Sequence, residues 1–427
     1  MMRVPRFLGV PRRSSEGGES PEELRGTPRN SEELVRNGWT GGQYSIVRAI
    51  FGAYLFIHFV ALIPWAQEVF AQILPREASP FLRLFPNILA IADIATPLVI
   101  VAAIASIFLA IGLYDRVAAV LIWYVLACLF GRNPLIANPS LPYAGWLLLA
   151  HAFVPAAPFG SWTARGRVDP RGGWTMPPAL FAAMWIVMSL GYTFSGWTKL
   201  VSPSWTDGTA MARVLANPLA RPSLAQELLL SLPSPLLQAM TWGALGLELL
   251  YAPLALFRRV RPWIWLAMLA MHLGLLVLID FADLSFMMVI LHLFTFDPEW
   301  VPARATQTTD TLLYDGSCGL CHRSVRFVLA EDRSGNAFRF EPLPDGEKAS
   351  VIVQAADGRT LVRSEAVIHI LQRLGGLWRV LGIAFGIVPR IVRNAMYDGV
   401  ARVRYRIFGR TKDACPIVPP DLRSRFT

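Results

Sequence analysis

Two sets of residues in this sequence have types and spacing that could do chemistry. The first is a Cys-x-x-Cys pair, Cys318 and Cys321, in the run Leu312-Leu-Tyr-Asp-Gly-Ser-Cys-Gly-Leu-Cys321. An apolar strand, a turn and a helix opening at the first cysteine put Cys318 at a helix N-terminus. Unpaired N–H groups and a partial positive charge there lower a thiol pKa. Cys318 would then attack a disulfide as a thiolate, and Cys321, one turn on, would resolve the mixed disulfide. Three other readings stay open. The pair could be half of a zinc site, although only Cys415 follows and no second pair exists. His322 completes Cys-x-x-Cys-His, the attachment signature of c-type haem, or the dithiol could be purely structural.

The second set lies in the apolar part of the chain. Of 40 basic residues three are lysines, Lys199, Lys348 and Lys412, and of these only Lys199 falls among the apolar segments. Unlike arginine, a desolvated lysine can lose its proton and act as a base; the plainer reading is a lysine snorkelling at a helix end. Arg48, His58, Asp93, His151, Glu248, His272 and His292 also lie in or beside apolar segments. A charge at the centre of a membrane span costs at least about 2.5 to 3.5 kcal/mol. For the histidines and Glu248, satisfied bonds between helices are the default reading.

The elements that must position these groups follow from composition. The chain has 427 residues, 54% hydrophobic and 16% charged, with 14 Trp and a net charge of +10. Average globular chains carry about a quarter charged residues, so long apolar runs with basic loops point to a membrane protein rather than a nucleic-acid binder. Four cysteines exclude a disulfide-stapled scaffold. Residues 1–42 read as a polar, disordered, uncleaved tail. Apolar segments at 44–63, 88–113, 117–130, 141–155, 178–198, 236–257, 263–279 and 284–296 give about eight predicted spans, several of them short for a bilayer. With the N-terminus inside, 14 basic residues fall on the inner side and 6 on the outer. That predicts an integral protein of a bacterial-type inner membrane with both termini cytoplasmic.

Residues 301–309 read as a linker, and 310–427 as a soluble domain with 18 basic and 12 acidic residues. Strands are predicted at 311–314, 338–343 and 350–354. A helix carrying Cys321, Val325, Val328 and Leu329 on one face lies between the first two, and a second helix is capped by Ser364. The alternation makes a small α/β layer. Arginines 379, 390, 393, 402, 404, 406 and 410 interleave with Trp378, Tyr397, Tyr405 and Phe408. They form either a solvated face or a surface for an anionic leaflet, each basic residue there contributing about 1 kcal/mol.

The residues Tyr314-Asp315-Gly316-x-Cys318-x-x-Cys321 resemble the DCC family of thiol-disulfide oxidoreductases. Phe338-x-Phe340-x-Pro342, Ser364-Glu365-Ala366 and Arg404-Tyr405-Arg406-x-Phe408-Gly409 extend the likeness over most of 310–420. The resemblance implies a thioredoxin-like fold, protein-disulfide reduction, a redox-active Cys318–Cys321 disulfide and a place for Asp315 at the site. No proline directly precedes the strand at Ser350, where thioredoxin-like sites usually carry one.

A second resemblance covers 43–300. Gly196-x-x-Lys199-Leu with Trp205 and Gly208, and Phe294-x-Phe296-x-Pro298-Glu299-Trp300, are similar to the horizontally transferred transmembrane domain of vitamin K-dependent gamma-carboxylases. It implies Lys199 as a base and a quinone or lipid pocket near Gly196, Trp197, Trp205 and His272. No histidine stands at Asn138-Pro139-Ser140, where the carboxylases have one, and a large extracytoplasmic domain is absent from the sequence.

The expected architecture is therefore a mainly α-helical polytopic membrane domain with a C-terminal α/β thioredoxin-like domain. Its expected function is a membrane-anchored thiol-disulfide oxidoreductase acting on a protein or small disulfide, with the bilayer and a quinone as further partners. No metal and no nucleic acid is expected. A quinone- or lipid-modifying enzyme using Lys199, and a non-catalytic redox-sensing scaffold or transporter, are the alternatives.

Overall fold

Every apolar segment of the first 300 residues contains helix, because in a run without polar side chains the backbone must satisfy its own N–H and C=O groups. The longer helices, among the described residues, are α1 (Gly41–Leu62), α2 (Ala95–Ile111), α3 (Asp115–Arg132), α4 (Leu141–Phe153), α5 (Pro178–Lys199), α6 (Ser234–Leu249), α7 (Arg261–Leu278) and α8 (Ala282–Thr295). Proline stands in the opening positions of α4, α5, α6 and α7, where its missing N–H costs nothing. The computed structural model describes residues 37–71, 94–133, 138–280, 282–304, 308–344, 351–411 and 416–427. Most of the predicted tail, together with Asp93, Lys348, Lys412 and Cys415, lies outside the described residues.

The lengths correct the expectation of eight spans. Among the described residues three stretches, Gly41–Phe70, Pro178–Lys199 and Arg261–Leu278, are long and apolar enough to cross a membrane. The number rises to five if each of two bent helix pairs counts as one span. The 13 residues of α4 reach only about 20 Å at about 1.5 Å per residue, against a hydrocarbon core of about 30 Å. Apolarity alone had suggested a crossing that the helix length does not support.

Small residues let α1 and α2 approach: a Cβ on Gly52 would lie 2.5 Å from the Ala110 backbone nitrogen. Buried polar contacts tie α1 to α2, α3 and α4. Arg48 donates to the Leu109 carbonyl at 2.7 Å, His151 lies 3.5 Å from Asp115, and Tyr44 shares a 2.5 Å hydrogen bond with His151. His292 donates to the Met288 carbonyl at 2.8 Å.

The C-terminal part builds a four-stranded mixed sheet. Its strands are β1 (Asp310–Tyr314), β2 (Phe338–Pro342), β3 (Ile352–Gln354) and β4 (Thr360–Val362), in the order β2-β1-β3-β4. β1 and β2 are parallel, so the chain must cross over between them, and helix α9 (Gly319–Glu331) makes the crossing. β3 and β4 join antiparallel. The outer edge of β2 is covered by the chain end, where Arg425 and Thr427 exchange backbone bonds with Phe340. Leu312, Tyr314, Val325, Leu329, Phe338 and Phe340 form a core that also contains both cysteines of the dithiol.

After β4 come α10 (Arg363–Leu374), α11 (Gly376–Ile387) and α12 (Arg390–Phe408), the last two bent at 114° around Pro389. Ser364 does not cap α10; its hydroxyl donates to Asn394 at 2.5 Å.

The start of α1 and two loops of the apolar part meet this domain. Glu331 accepts from Thr40, from the Gly42 N–H at 2.8 Å and from the Trp378 indole at 2.7 Å. Arg171 donates to the Leu329 carbonyl at 3.0 Å, and the Gly376 N–H reaches the Val301 carbonyl at 2.7 Å. These loops therefore share one side. Lys199 ends α5 after 22 residues, about 33 Å of helix at about 1.5 Å per residue.

Candidate active site

The dithiol sits where β1 hands over to α9. Asp315 directly follows the strand and organises the turn: its Oδ1 accepts from the Ser317 N–H at 2.9 Å and the Ser317 hydroxyl at 2.8 Å. Cys318 is then the N-cap, in extended geometry, and its sulfur accepts the Cys321 N–H at 3.4 Å. A cysteine sulfur thus takes the place that a serine or aspartate oxygen takes at other helix starts. Both cysteines are free thiols, Cys318 with 0% and Cys321 with 4% of its surface exposed.

The far end of the chain folds back over this turn. Gly319 donates to the Gly409 carbonyl at 3.2 Å, Thr411 donates to the Ser317 carbonyl at 3.0 Å, and Cys318 bridges Arg410 in antiparallel fashion. Gly319 has to be glycine for this approach, because a Cβ there would lie 2.3 Å from the Phe408 carbonyl oxygen. His322 donates to the Gly316 carbonyl at 2.8 Å, which ties its ring to the same turn.

Two residues from α12 complete the site. Arg404 donates to Asp315 Oδ2 at 3.0 Å and Tyr405 donates to the same oxygen. Burial pushes the Asp315 carboxyl up, but the bonds from Tyr405 and Ser317 and the Arg404 charge outweigh it and hold the carboxyl below its ordinary value. Burial, followed by the interaction with Cys318, pushes the Cys321 thiol up to about 12. An attacking sulfur that takes an N–H and a resolving thiol held as S–H is the division of labour a dithiol needs.

The protonation of Cys321 has a measurable consequence. A thiol pushed up to about 12 stays protonated through the neutral and mildly alkaline range. Site-resolved iodoacetamide labelling of the reduced chain should therefore show Cys321 reacting about tenfold faster per pH unit from pH 8 to 11. A plateau near pH 9 would contradict this environment.

The remaining residues singled out by sequence lie elsewhere. Lys199 donates to Ser195 at 2.8 Å and pairs with Glu248, and its ammonium stands 4.9 Å from the Trp205 ring centre. Gly196 packs against Leu249, where a Cβ would lie 2.8 Å from its backbone nitrogen. His272 bonds Tyr192 at 2.9 Å, and Trp197 is 68% exposed. Asp315 joins Cys318 and Cys321 in one site, while Lys199, Trp205 and Gly196 gather around Glu248 and its neighbour Leu249. Arg404 and Tyr405 were not chosen as site residues from the sequence. Their place in the Arg404-Tyr405-Arg406 run was the available signal.

Comparison with known proteins centres on this domain. Residues 312–410 match the family model described as DCC1-like thiol-disulfide oxidoreductase. The uncharacterized protein YuxK of Bacillus subtilis (strain 168) is 30% identical, over 27% of this chain and 91% of that protein. A chloroplastic DCC family protein of Arabidopsis thaliana is 32% identical, over 25% of this chain and 68% of that protein. No solved structure matches. Through its C-terminal domain, built around the turn that carries Cys318 and Cys321, the chain belongs to the DCC1-like thiol-disulfide oxidoreductase family.

Proposed function

We propose that the protein is a membrane-anchored thiol-disulfide oxidoreductase whose Cys318–Cys321 dithiol, in a thioredoxin-like domain, exchanges with disulfides on the cytoplasmic side. The observation that carries this is the pairing of Cys318 at the start of α9 with a Cys321 thiol that stays protonated. The β2-β1-β3-β4 order, with the dithiol opening the crossover helix, supports the thioredoxin-like reading. In the reaction Cys318 attacks one substrate sulfur and the other leaves with a proton. Cys321 then attacks Cys318, the second substrate thiol departs, and the protein is left with a disulfide.

Anchoring is supported by the apolar exterior of the first part. Phe194, Trp263 and Val117 are each about 70% exposed (71%, 70% and 68%), among many large apolar side chains on its surface. The test of the redox function is equilibration of the full chain in thiol–disulfide buffers with intact mass as readout. Formation of the Cys318–Cys321 bond lowers the mass by about 2 Da, and a chain that never loses that mass contradicts the proposal.

A quinone or another lipid-like partner in the apolar domain is the second part of the reading. A cavity of about 660 Å3 beside α1 and α8 favours it. Its walls are mostly aliphatic. At its polar end Tyr54 donates to Asp283 at 2.8 Å, and His58 Nδ1 lies 3.1 Å from the same carboxylate. An open, mostly apolar pocket with one cluster of hydrogen-bonding groups suits an amphiphile. The use of Lys199 as a base rests on the gamma-carboxylase resemblance, while its pairing with Glu248 gives the lysine a structural part.

A further inference from the structure

Among the described residues, α11 and α12 leave an apolar surface bare. On α12 the side chains of Val392, Met396, Val403 and Ile407 are spaced four, seven and four residues apart, so they line one face of the helix along most of its length. On α11, Ile383 and Ile387 stand one turn apart in the same way. All six are exposed. Exposure peaks where the two helices turn at Pro389, with Ile387 at 80% and Ile391 at 85%. Another side of α12 packs on α9 and α10 and carries the buried Arg404 that holds Asp315.

The rim of this surface is basic. Arg402 and Arg406 are exposed beside the α12 stripe, and Arg390 stands at the elbow with 65% of its side chain exposed. Asp398, the one acidic residue of the two helices, lies on the far face, 3.6 Å from Arg363. A continuous apolar stripe rimmed by charge marks an interaction surface, and the charge selects the occupant. We propose that the elbow of α11 and α12 docks on an anionic lipid leaflet, with Ile387 and Ile391 in the boundary between headgroups and acyl chains and the arginines against lipid phosphates. This goes beyond the redox chemistry of the proposed function and rests on its membrane anchoring. A second copy of the chain on the same stripe would set these arginines against their own kind, whereas phosphates pair them. The elbow lies on the leaflet and does not cross it, because a crossing would carry Arg402 and Arg406 into hydrocarbon. Since α12 also holds Asp315 through Arg404 and Tyr405, docking keeps the dithiol turn beside the leaflet.

The test uses the full chain in nanodiscs of phosphatidylcholine and phosphatidylglycerol, one copy per disc, with a photoreactive diazirine on the acyl chains of a tracer phosphatidylglycerol. Peptide mapping after illumination should find lipid adducts on residues 383–396 as well as on α5 and α7. Discs of phosphatidylcholine alone, with the tracer on that lipid, should lower the elbow adducts at least about fivefold and leave those on α5 and α7 unchanged. The double variant Ile387→Asp with Ile391→Asp alters only exposed side chains, so its thermal melt should match the parent while the elbow adducts disappear. The parent measurement stands without that variant. Adducts on α5 and α7 with none at the elbow would overturn the inference and leave the anchoring intact, as would elbow adducts indifferent to lipid charge. Protection of the elbow that appears only in discs holding two copies would assign the stripe to a second copy, which also overturns it. A chain that does not enter the discs brings down both the inference and the anchoring.

Discussion

Cys318→Ser should abolish disulfide exchange, with a fall of at least about a thousandfold to the background rate, whereas Cys321→Ser should stop the reaction halfway. The difference follows from position. Cys318 is the N-cap whose sulfur takes the Cys321 N–H, so a developing negative charge there is met by a helix N-terminus. A serine hydroxyl would keep the cap and lose the nucleophile, so the fold should survive and the chemistry should not. Cys321 is held as a thiol, pushed up to about 12 by burial and its contact with Cys318. Its role begins when Cys318 is in a mixed disulfide. Non-reducing electrophoresis of the full chain should show Cys321→Ser accumulating a mixed disulfide, Cys318→Ser none, and the parent only a transient. Mixed disulfides on Cys321 in the Cys318→Ser variant would reverse the assignment.

The second large effect concerns stability. Asp310 opens β1 with 2% of its surface exposed; it accepts from His369 at 2.8 Å, Arg373 at 2.9 Å and the Ala356 N–H at 3.0 Å. Arg373 is itself buried and also donates to the Arg304 and Thr308 carbonyls, which ties the segment before β1 to α10. Asp310→Ala strands that guanidinium and should destabilise the C-terminal domain by about 3 to 5 kcal/mol. Replacing the arginine as well, Asp310→Leu with Arg373→Met, should recover part of the loss, because it removes the unpaired charge while His369 and the Ala356 N–H still lack their acceptor. Burial pushes the Asp310 carboxyl up, but its bonds from His369 and Ala356 and the Arg373 charge win and hold it below its ordinary value. A folded value below the unfolded one means the stabilisation is complete above about pH 4 and is lost as pH falls through the folded value. Denaturation followed by limited proteolysis of residues 310–427 would show both effects. A single variant as stable as the double would refute the pairing.

What the sequence revealed and what it hid separate by distance along the chain. The Cys-x-x-Cys turn is local, and so is the face of Cys321, Val325, Val328 and Leu329, all buried in α9; a period of three to four residues suffices to read both. The residues that hold Asp315 come from 89 and 90 positions away, and no spacing rule reaches that far. β4 has three residues, too few to show an alternation, and it was not expected at all. The basic stretch after Trp378 was read as one face. Pro389 instead divides it into two helices bent at 114°, since a proline disfavours helix for the residue before it. Lys199 stood out by composition, yet its partner Glu248, 49 positions on, could only be found in three dimensions.

The oxidoreductase function turns on one equilibrium, the oxidation of Cys318 with Cys321. Titrating the full chain against glutathione buffers and reading intact mass, with peptide mapping of the product, measures it directly. The dithiol should pass between two states about 2 Da apart in a single two-electron step, with the bond mapping to Cys318 and Cys321 and the step absent from either serine variant. A chain that keeps both thiols across the whole range, or that oxidises with Cys128 or Cys415 in place of this pair, would contradict it.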